Sequence, residues 1–500
     1  MMLADDMGRL LMDEIRVDPV LALRVPAQIA LRREVLPFVR WQDKVHVACS
    51  HPLDSATRSQ VQRCFDVAIE DQLAEPGSLR RALQRIYGAV KPGAAAAGPA
   101  LGRLGGGKQV EVDAEDVTPL SEDILYSALL RQASDIHLDP TPEYLRLRFR
   151  VDGGLEEIQR FPAALTGTLV NRFKVLAQMD ISERRAPQDG GFRFNFAENR
   201  HIDIRAATLP TKWGERVTLR LLGLQTGELT LERLGMGPEH LKLFEAALAQ
   251  PHGMILLTGP TGSGKSTTLY AGIRRLLAQE ALNIITVEDP VEYDIAGVAQ
   301  VSVDSADKTS FGKALRSILR HDPDVVMIGE IRDGETADIA VKAALTGHLV
   351  FSSLHTNTAA GAVTRLHDMG VERFLVASTL RLAIAQRLAR RLCARCHVPR
   401  VLSELEALGL NRAELAGTPA YEPGGCLYCG GRGTVGRLAL FEFLPVDESW
   451  TQVINRGAQE TDILEEMRRR GLPSLLDDGL AKLQAGLTPY EQVRSAVATW

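Results

Sequence analysis

Nowhere in the 500 residues is there an uninterrupted apolar run of the ~18 residues that a transmembrane helix requires. Any membrane contact is therefore expected to be peripheral. The amino end, MMLADDMGRLLMDEIR, is acidic and lacks the regions of a signal peptide, so the cytoplasm is the expected location. Positive charge is not in excess either: 58 Lys and Arg stand against 63 Asp and Glu, a formal net charge of −5. A dedicated nucleic-acid binder would carry a basic surface, and with aromatics at only 5% no stacking groove is legible. Cysteine is scarce, with six in all. Cys49 and Cys64 stand alone and read as small buried hydrophobes. Cys393, Cys396, Cys426 and Cys429 form two CxxC pairs, which in a reducing compartment favour a metal over disulfides.

What is present is ample for several domains. Residues 89–112 fall in a run of Gly, Ala and Pro that cannot bury enough apolar surface to offset its ordering entropy, so a flexible linker is expected there. Its GGGK lacks a preceding strand and is no phosphate loop. Before it, residues 1–88 read as a small separate domain with helical periodicity in SATRSQVQRCFDVAIEDQL and SLRRALQRIYG. After it, residues 113–230 read as an α+β domain. In YLRLRFRVDGG, apolar Leu145, Leu147, Phe149 and Val151 alternate with Arg146, Arg148 and Arg150, which predicts a half-buried strand entering a hairpin. Residues 235–391 alternate short apolar runs (MILLTG, NIITVED, VVMIGE, LVFSSLH) with helical stretches, the pattern of an α/β parallel sheet covered on both faces.

Within that third unit, GPTGSGKST spans Gly259, Pro260, Thr261, Gly262, Ser263, Gly264, Lys265, Ser266 and Thr267 between a strand and a helix, and meets the phosphate-loop pattern in its confirming context. The glycines let backbone amides turn inward beside a helix N-terminus, Lys265 is placed for the β and γ phosphates of ATP, and Ser266 for magnesium. Two acids end apolar runs: Glu288 in NIITVEDPVEY and Glu330 in HDPDVVMIGEIRD. Carboxyl ends of parallel strands face ligands. Spacing leaves open which acid activates water and which holds the metal. His348 and His355 bracket LVFSSL, where a phosphate-sensing role and a structural one both remain open. The cysteine pairs have the spacing of a closed four-cysteine tetrahedral zinc site, over residues 392–435, with His397 an alternative ligand beside Cys396.

In order, GPTGSGKS, TVEDPVEY, DPDVVMIGEIRD and TGHLVFSSLHTN resemble the motif set of the secretion ATPases of type II secretion and type IV pilus systems. The resemblance extends to ASDIHLDP, RAATLPTKWGERVTLRLL and both CxxC pairs. It implies a hexameric ring of RecA-like P-loop domains, each preceded by a PAS-like domain and a small N-terminal docking domain, with residues 436–500 a helical C-terminal part of the ATPase domain. It also implies that Glu288 activates water, that Glu330 is the magnesium partner, and that Arg205 and Arg220 are sent from the PAS-like domain to the nucleotide phosphates. The zinc knot is implied to be structural. LRREVLPFVRW resembles the docking domain for a membrane-anchored partner. The function implied is a motor ATPase on the cytoplasmic face of the inner membrane, driving pseudopilus assembly for type II secretion. Its implied partners are the platform's L component, through a cytoplasmic domain, and the F component, with no direct contact with exported substrates. Pilus extension is the alternative, and a nucleic-acid translocase the reading from a different class.

Overall fold

The computed structural model describes residues 9–87 except 14 and 16, 117–197, 200–223, 230–279, 281–303 and 311–497. The expected linker lies outside the described residues. Two compact units divide the chain: Met1–Thr226 with Arg395–His397 and Pro423–Val435, and Gly227–Ala394 with Val398–Glu422 and Gly436–Trp500.

The first unit opens with β1 (Val35–Trp41), β2 (Lys44–Cys49) and β3 (Ala68–Leu73), β1 antiparallel and β3 parallel to β2. Helix Pro76–Tyr87 buries Leu79, Ala82, Leu83 and Ile86 against them. The helical reading of SATRSQVQRCFDVAIEDQL holds only for Ser55–Gln62; Ala68–Leu73 is a strand. Gln62 stops the helix: its Nε2 donates to Val67 O (2.8 Å), and its Oε1 accepts from Ile69 N (3.1 Å). The turned chain then pairs with β2, a tertiary gain that helical periodicity does not report.

The same unit continues with β4 (Asp135–Pro140), β5 (Tyr144–Val151), β6 (Gly154–Pro162), β7 (Gln188–Ala197), β8 (Arg200–Thr211) and β9 (Gly214–Leu221), an antiparallel sheet in the order β6-β5-β4-β9-β8-β7. The β5–β6 turn uses Asp152 and Gly153 at positive φ (49° and 79°), the geometry that lets a two-residue turn follow the strand twist. Apolar residues of β5 pack on helices Thr118–Leu130 and Leu165–Leu176. On the other face Arg150, Asp135, Arg220 and Arg205 stand opposite one another on β5, β4, β9 and β8.

The second unit is built on β10 (Gly253–Thr258), β11 (Ile284–Glu288), β12 (Ala299–Ser302), β13 (Val325–Ile328), β14 (Leu349–Leu354) and β15 (Leu380–Leu392). A short antiparallel pair follows, β16 (Val398–Val401) with β17 (Pro419–Glu422), and then β18 (Thr434–Pro445). The main sheet runs β12-β11-β13-β14-β10-β15-β18, and the five neighbouring pairs from β12 to β15 are parallel. Both faces are covered by apolar clusters, which explains strands that read as continuous hydrophobic runs. The segment expected to be helical after residue 435 begins instead inside β18, which returns to the sheet beside β15; helices follow from Glu448. Among the described residues no helix is long and apolar enough to cross a membrane.

Candidate functional site: a phosphate loop with paired strand-end acids

Because β10, β14, β13 and β11 are parallel neighbours, their carboxyl ends share one edge of the sheet. Thr258 leads there into the phosphate loop, Leu354 into His355, Ile328 into Gly329 and Glu330, and β11 ends at Glu288 itself.

The loop is preformed by its contacts with β15. Gly259 has φ of 145°, and a Cβ on it would lie 2.6 Å from Gln386 O. Gly264, at φ of 88°, starts helix Lys265–Leu277, and a Cβ there would lie 2.8 Å from Gln386 Nε2. Only glycine fits either position. Lys265 is 8% exposed and donates from Nζ to Gly259 O (2.7 Å) and Pro260 O (3.3 Å). Burial pulls its ammonium pKa down to about 8, partly opposed by the charge of Glu330 and helped by that of Arg387. Ser263 Oγ is buried and has no hydrogen-bond partner. A desolvated lysine, an unpartnered hydroxyl and a glycine cradle all fit an anion with several acceptor oxygens, the β and γ phosphates of ATP. Ser266, in the first turn of the helix, is exposed, and its hydroxyl and the Glu330 carboxylate are oxygen donors of the kind that fit magnesium.

Glu330 is the half-buried acid. Its Oε2 accepts from His355 Nε2 (2.8 Å), and its other oxygen is bonded by Arg332, which also reaches Asp289 (3.4 Å). Burial works against its charge, but His355 and Arg332 outweigh it and hold the carboxyl below the usual range. Gly329, which separates the apolar run from the acid, packs closely: its Cβ would meet Glu288 Cα and Val287 O at 3.4 Å, and its amide donates to Val287 O (2.8 Å). Glu288, 3% exposed, is held by neutral donors: Thr286 Oγ1 (2.6 Å) and Gln300 Nε2 (3.2 Å) on Oε1, and the Tyr270 hydroxyl on Oε2.

The structure brings Gly259–Thr267, Glu288, Glu330 and His355 to one edge. It does not bring His348 there. His348 precedes β14, its carbonyl accepts from the amide of Gly253 at the start of β10, and six strand residues, about 20 Å, separate it from His355. Its Nδ1 lies 2.9 Å from Ala343 O, so the phosphate-sensing option for His348 gives way to a turn-closing role. Arg205 and Arg220 lie in the first unit, on the exposed face of β8 and β9; Arg220 Nε donates to Asp135 Oδ1 (2.9 Å).

Sequence reading missed Tyr270, Gln386 and Arg387. Arg387, 5% exposed, donates to Asn357 O (3.2 Å) and Asn357 Oδ1 (3.1 Å), and its charge reaches Lys265. No local motif marks these residues; the available signal was polar Gln-Arg inside the apolar run LAIAQRLARRL.

The cysteines converge as expected. The Sγ atoms of Cys393, Cys396, Cys426 and Cys429 all lie within 4.8 Å of one another, with Cys396–Cys429 at 3.7 Å and Cys426–Cys429 at 3.8 Å. A tetrahedron of sulfurs about 2.3 Å from zinc has edges of about 3.8 Å. Amides of Gly425, Cys426 and Gly433 donate to Cys396 or Cys429 Sγ at 3.1–3.3 Å, the support a thiolate ligand needs. His397 is not among the cluster. The residues fit zinc.

Two family models match: type II/IV secretion system protein over residues 110–495, and MshEN domain over residues 6–93. The chain is 40% identical over 486 residues to "Type II secretion system protein E" of Pseudomonas aeruginosa, covering 94% of this chain and 95% of that one. It is 39% identical over 497 residues to "Type IV pilus assembly ATPase PilB" of Myxococcus xanthus, covering 95% and 86%. Among solved structures, the pilus retraction motor PilT with bound ADP is similar at 26% identity and a TM-score of 0.51, over 75% of this chain and 96% of that one. The chain belongs to the type II/IV secretion system protein family and is a RecA-like ATPase.

Proposed function

We propose that the chain is the motor ATPase of a type II secretion system, converting ATP hydrolysis into assembly of a pseudopilus that exports folded proteins. The observation that carries the reading is the near end-to-end match to a type II secretion protein E, joined to a phosphate loop with two strand-end acids and His355 on one sheet edge. When bound, magnesium neutralises charge on the β and γ oxygens. In the proposed division of labour Ser266 and Glu330 hold the ion, Lys265 leaves the loop carbonyls for the phosphates, and Glu288 accepts the proton of the attacking water. Arg205 and Arg220 contribute charge to the transferring phosphoryl group in a hexameric ring, so turnover depends on domain geometry. The four-cysteine knot holds a structural zinc. The proposed location is the cytoplasmic face of the inner membrane, with partners in the platform there, including its L and F components; contact with exported proteins or nucleic acid is not part of the reading.

A second reading, pilus extension, is favoured by the match to PilB over 95% of the chain. Placing Lys265→Ala in the native host separates the two. Retention of normally exported enzymes in the periplasm with intact pili supports the secretion motor; normal export with lost pili overturns it in favour of extension.

A further inference from the structure

We propose that Gln386 is a positioning residue of the nucleotide site, aiming the backbone amide of Gly264 at the phosphates. β15 lies beside β10, with Ala385 level with Thr258, so the next residue of β15 faces the loop that leaves β10. Gln386 is 1% exposed and makes two side-chain bonds there. Its Nε2 donates to Ser263 O (2.9 Å), and its Oε1 accepts from Thr268 Oγ1 (2.8 Å).

A trans peptide is planar, with its carbonyl and amide pointing in opposite directions. Turning the Ser263 carbonyl to β15 therefore turns the Gly264 N–H away from β15. The positive φ of Gly264 and the 2.8 Å approach of Gln386 Nε2 to its absent Cβ fix that orientation. The second bond acts on the helix. Thr268 stands one turn on, its amide donating to Gly264 O (3.1 Å), so one side chain sets the loop and the first helical turn at a single angle. Glutamine carries both the donor and the acceptor that this needs; ionised glutamate has no donor, and methionine has no donor and only a weakly accepting sulfur.

The inference rests on Gly259–Thr267 being the nucleotide loop, which Lys265→Ala tests separately. In the full-length protein, ATP and ADP affinities are measured for Gln386→Glu, which retains the acceptor for Thr268, for Gln386→Met, and for Thr268→Val, which retains the donor to Ser263. Both Gln386 variants are expected to weaken both nucleotides about tenfold, the scale of one misdirected hydrogen bond, with Thr268→Val losing about threefold or less. Wild-type affinity in the Gln386 variants would overturn the proposal. An equal loss in Thr268→Val would reduce Gln386 to a helix buttress. Normal binding by Lys265→Ala would instead remove the loop assignment beneath it. If the Gln386 variants do not fold, hydrogen exchange in the wild-type protein decides. Gly264 N–H should exchange freely without nucleotide and become protected by ADP; protection in the nucleotide-free protein would contradict the proposed direction.

Discussion

Glu288 and Glu330 end neighbouring parallel strands, yet they are held in opposite ways. Glu288 is buried among a tyrosine, a threonine and a glutamine, all neutral donors. Glu330 is half-buried between two cationic-capable partners, His355 and Arg332, within electrostatic reach of Lys265. A half-buried carboxylate already partnered by an arginine and a histidine can exchange those partners for a metal ion. A carboxylate enclosed by neutral donors is kept from ions and waits for a water brought to it. The contrast supports magnesium at Glu330 and proton transfer at Glu288.

The largest effect should come from breaking the buried member. Glu288→Gln should bind ATP normally and lose about a hundredfold or more in turnover, the usual scale of general-base catalysis. Steady-state hydrolysis alongside nucleotide titration checks this; normal turnover would remove Glu288 from the chemistry. Next comes the charge that Glu330 faces. Lys265 titrates near pH 8 in the free loop, and bound phosphate favours its charged form. Binding therefore takes up a proton above that pH. ATP affinity should be level below pH 8 and fall above it, by up to about tenfold per unit until the bound-state pKa is reached. A flat profile from about pH 7 to 9.5 would show that Lys265 is not desolvated before binding.

Smaller is the effect of loosening Glu288 without removing it. Tyr270→Phe keeps the buried ring and deletes one donor that holds the Glu288 carboxylate in place, so kcat should fall a few-fold with ATP affinity unchanged. An unchanged kcat would separate Tyr270 from the base. Smallest at the nucleotide is disruption of the zinc knot. On the proposed zinc assignment, Cys426→Ser should lower bound zinc and the melting temperature while ATP affinity changes less than about twofold, because a closed four-cysteine site stabilises structure and offers no catalytic position. Metal content and thermal melting read it; full zinc occupancy would show that Cys426 is not a ligand.

Much of the site was legible because its chemistry is local. A phosphate loop needs its glycines, lysine and hydroxyl in consecutive order, and CxxC pairs set ligand spacing within one turn. Glu288 and Glu330 were visible because apolar runs end at them. Gln386 and Tyr270 were not, since each acts across sheet or helix neighbours more than 15 residues away, where sequence spacing carries no signal. His348 was overvalued for a related reason: bracketing a strand sounds like proximity, but the strand's own length puts its two ends on opposite edges. Residues 68–73 were read as helix because their period continues one that Gln62 ends by bonding its own downstream backbone.

The division between the two acids is tested most directly by titrating magnesium into ATP-binding assays of Glu330→Gln and Glu288→Gln. Loss of the magnesium-dependent gain in affinity in Glu330→Gln, with the gain intact in Glu288→Gln, is the result the account predicts. The reverse pattern would exchange the two roles and contradict it.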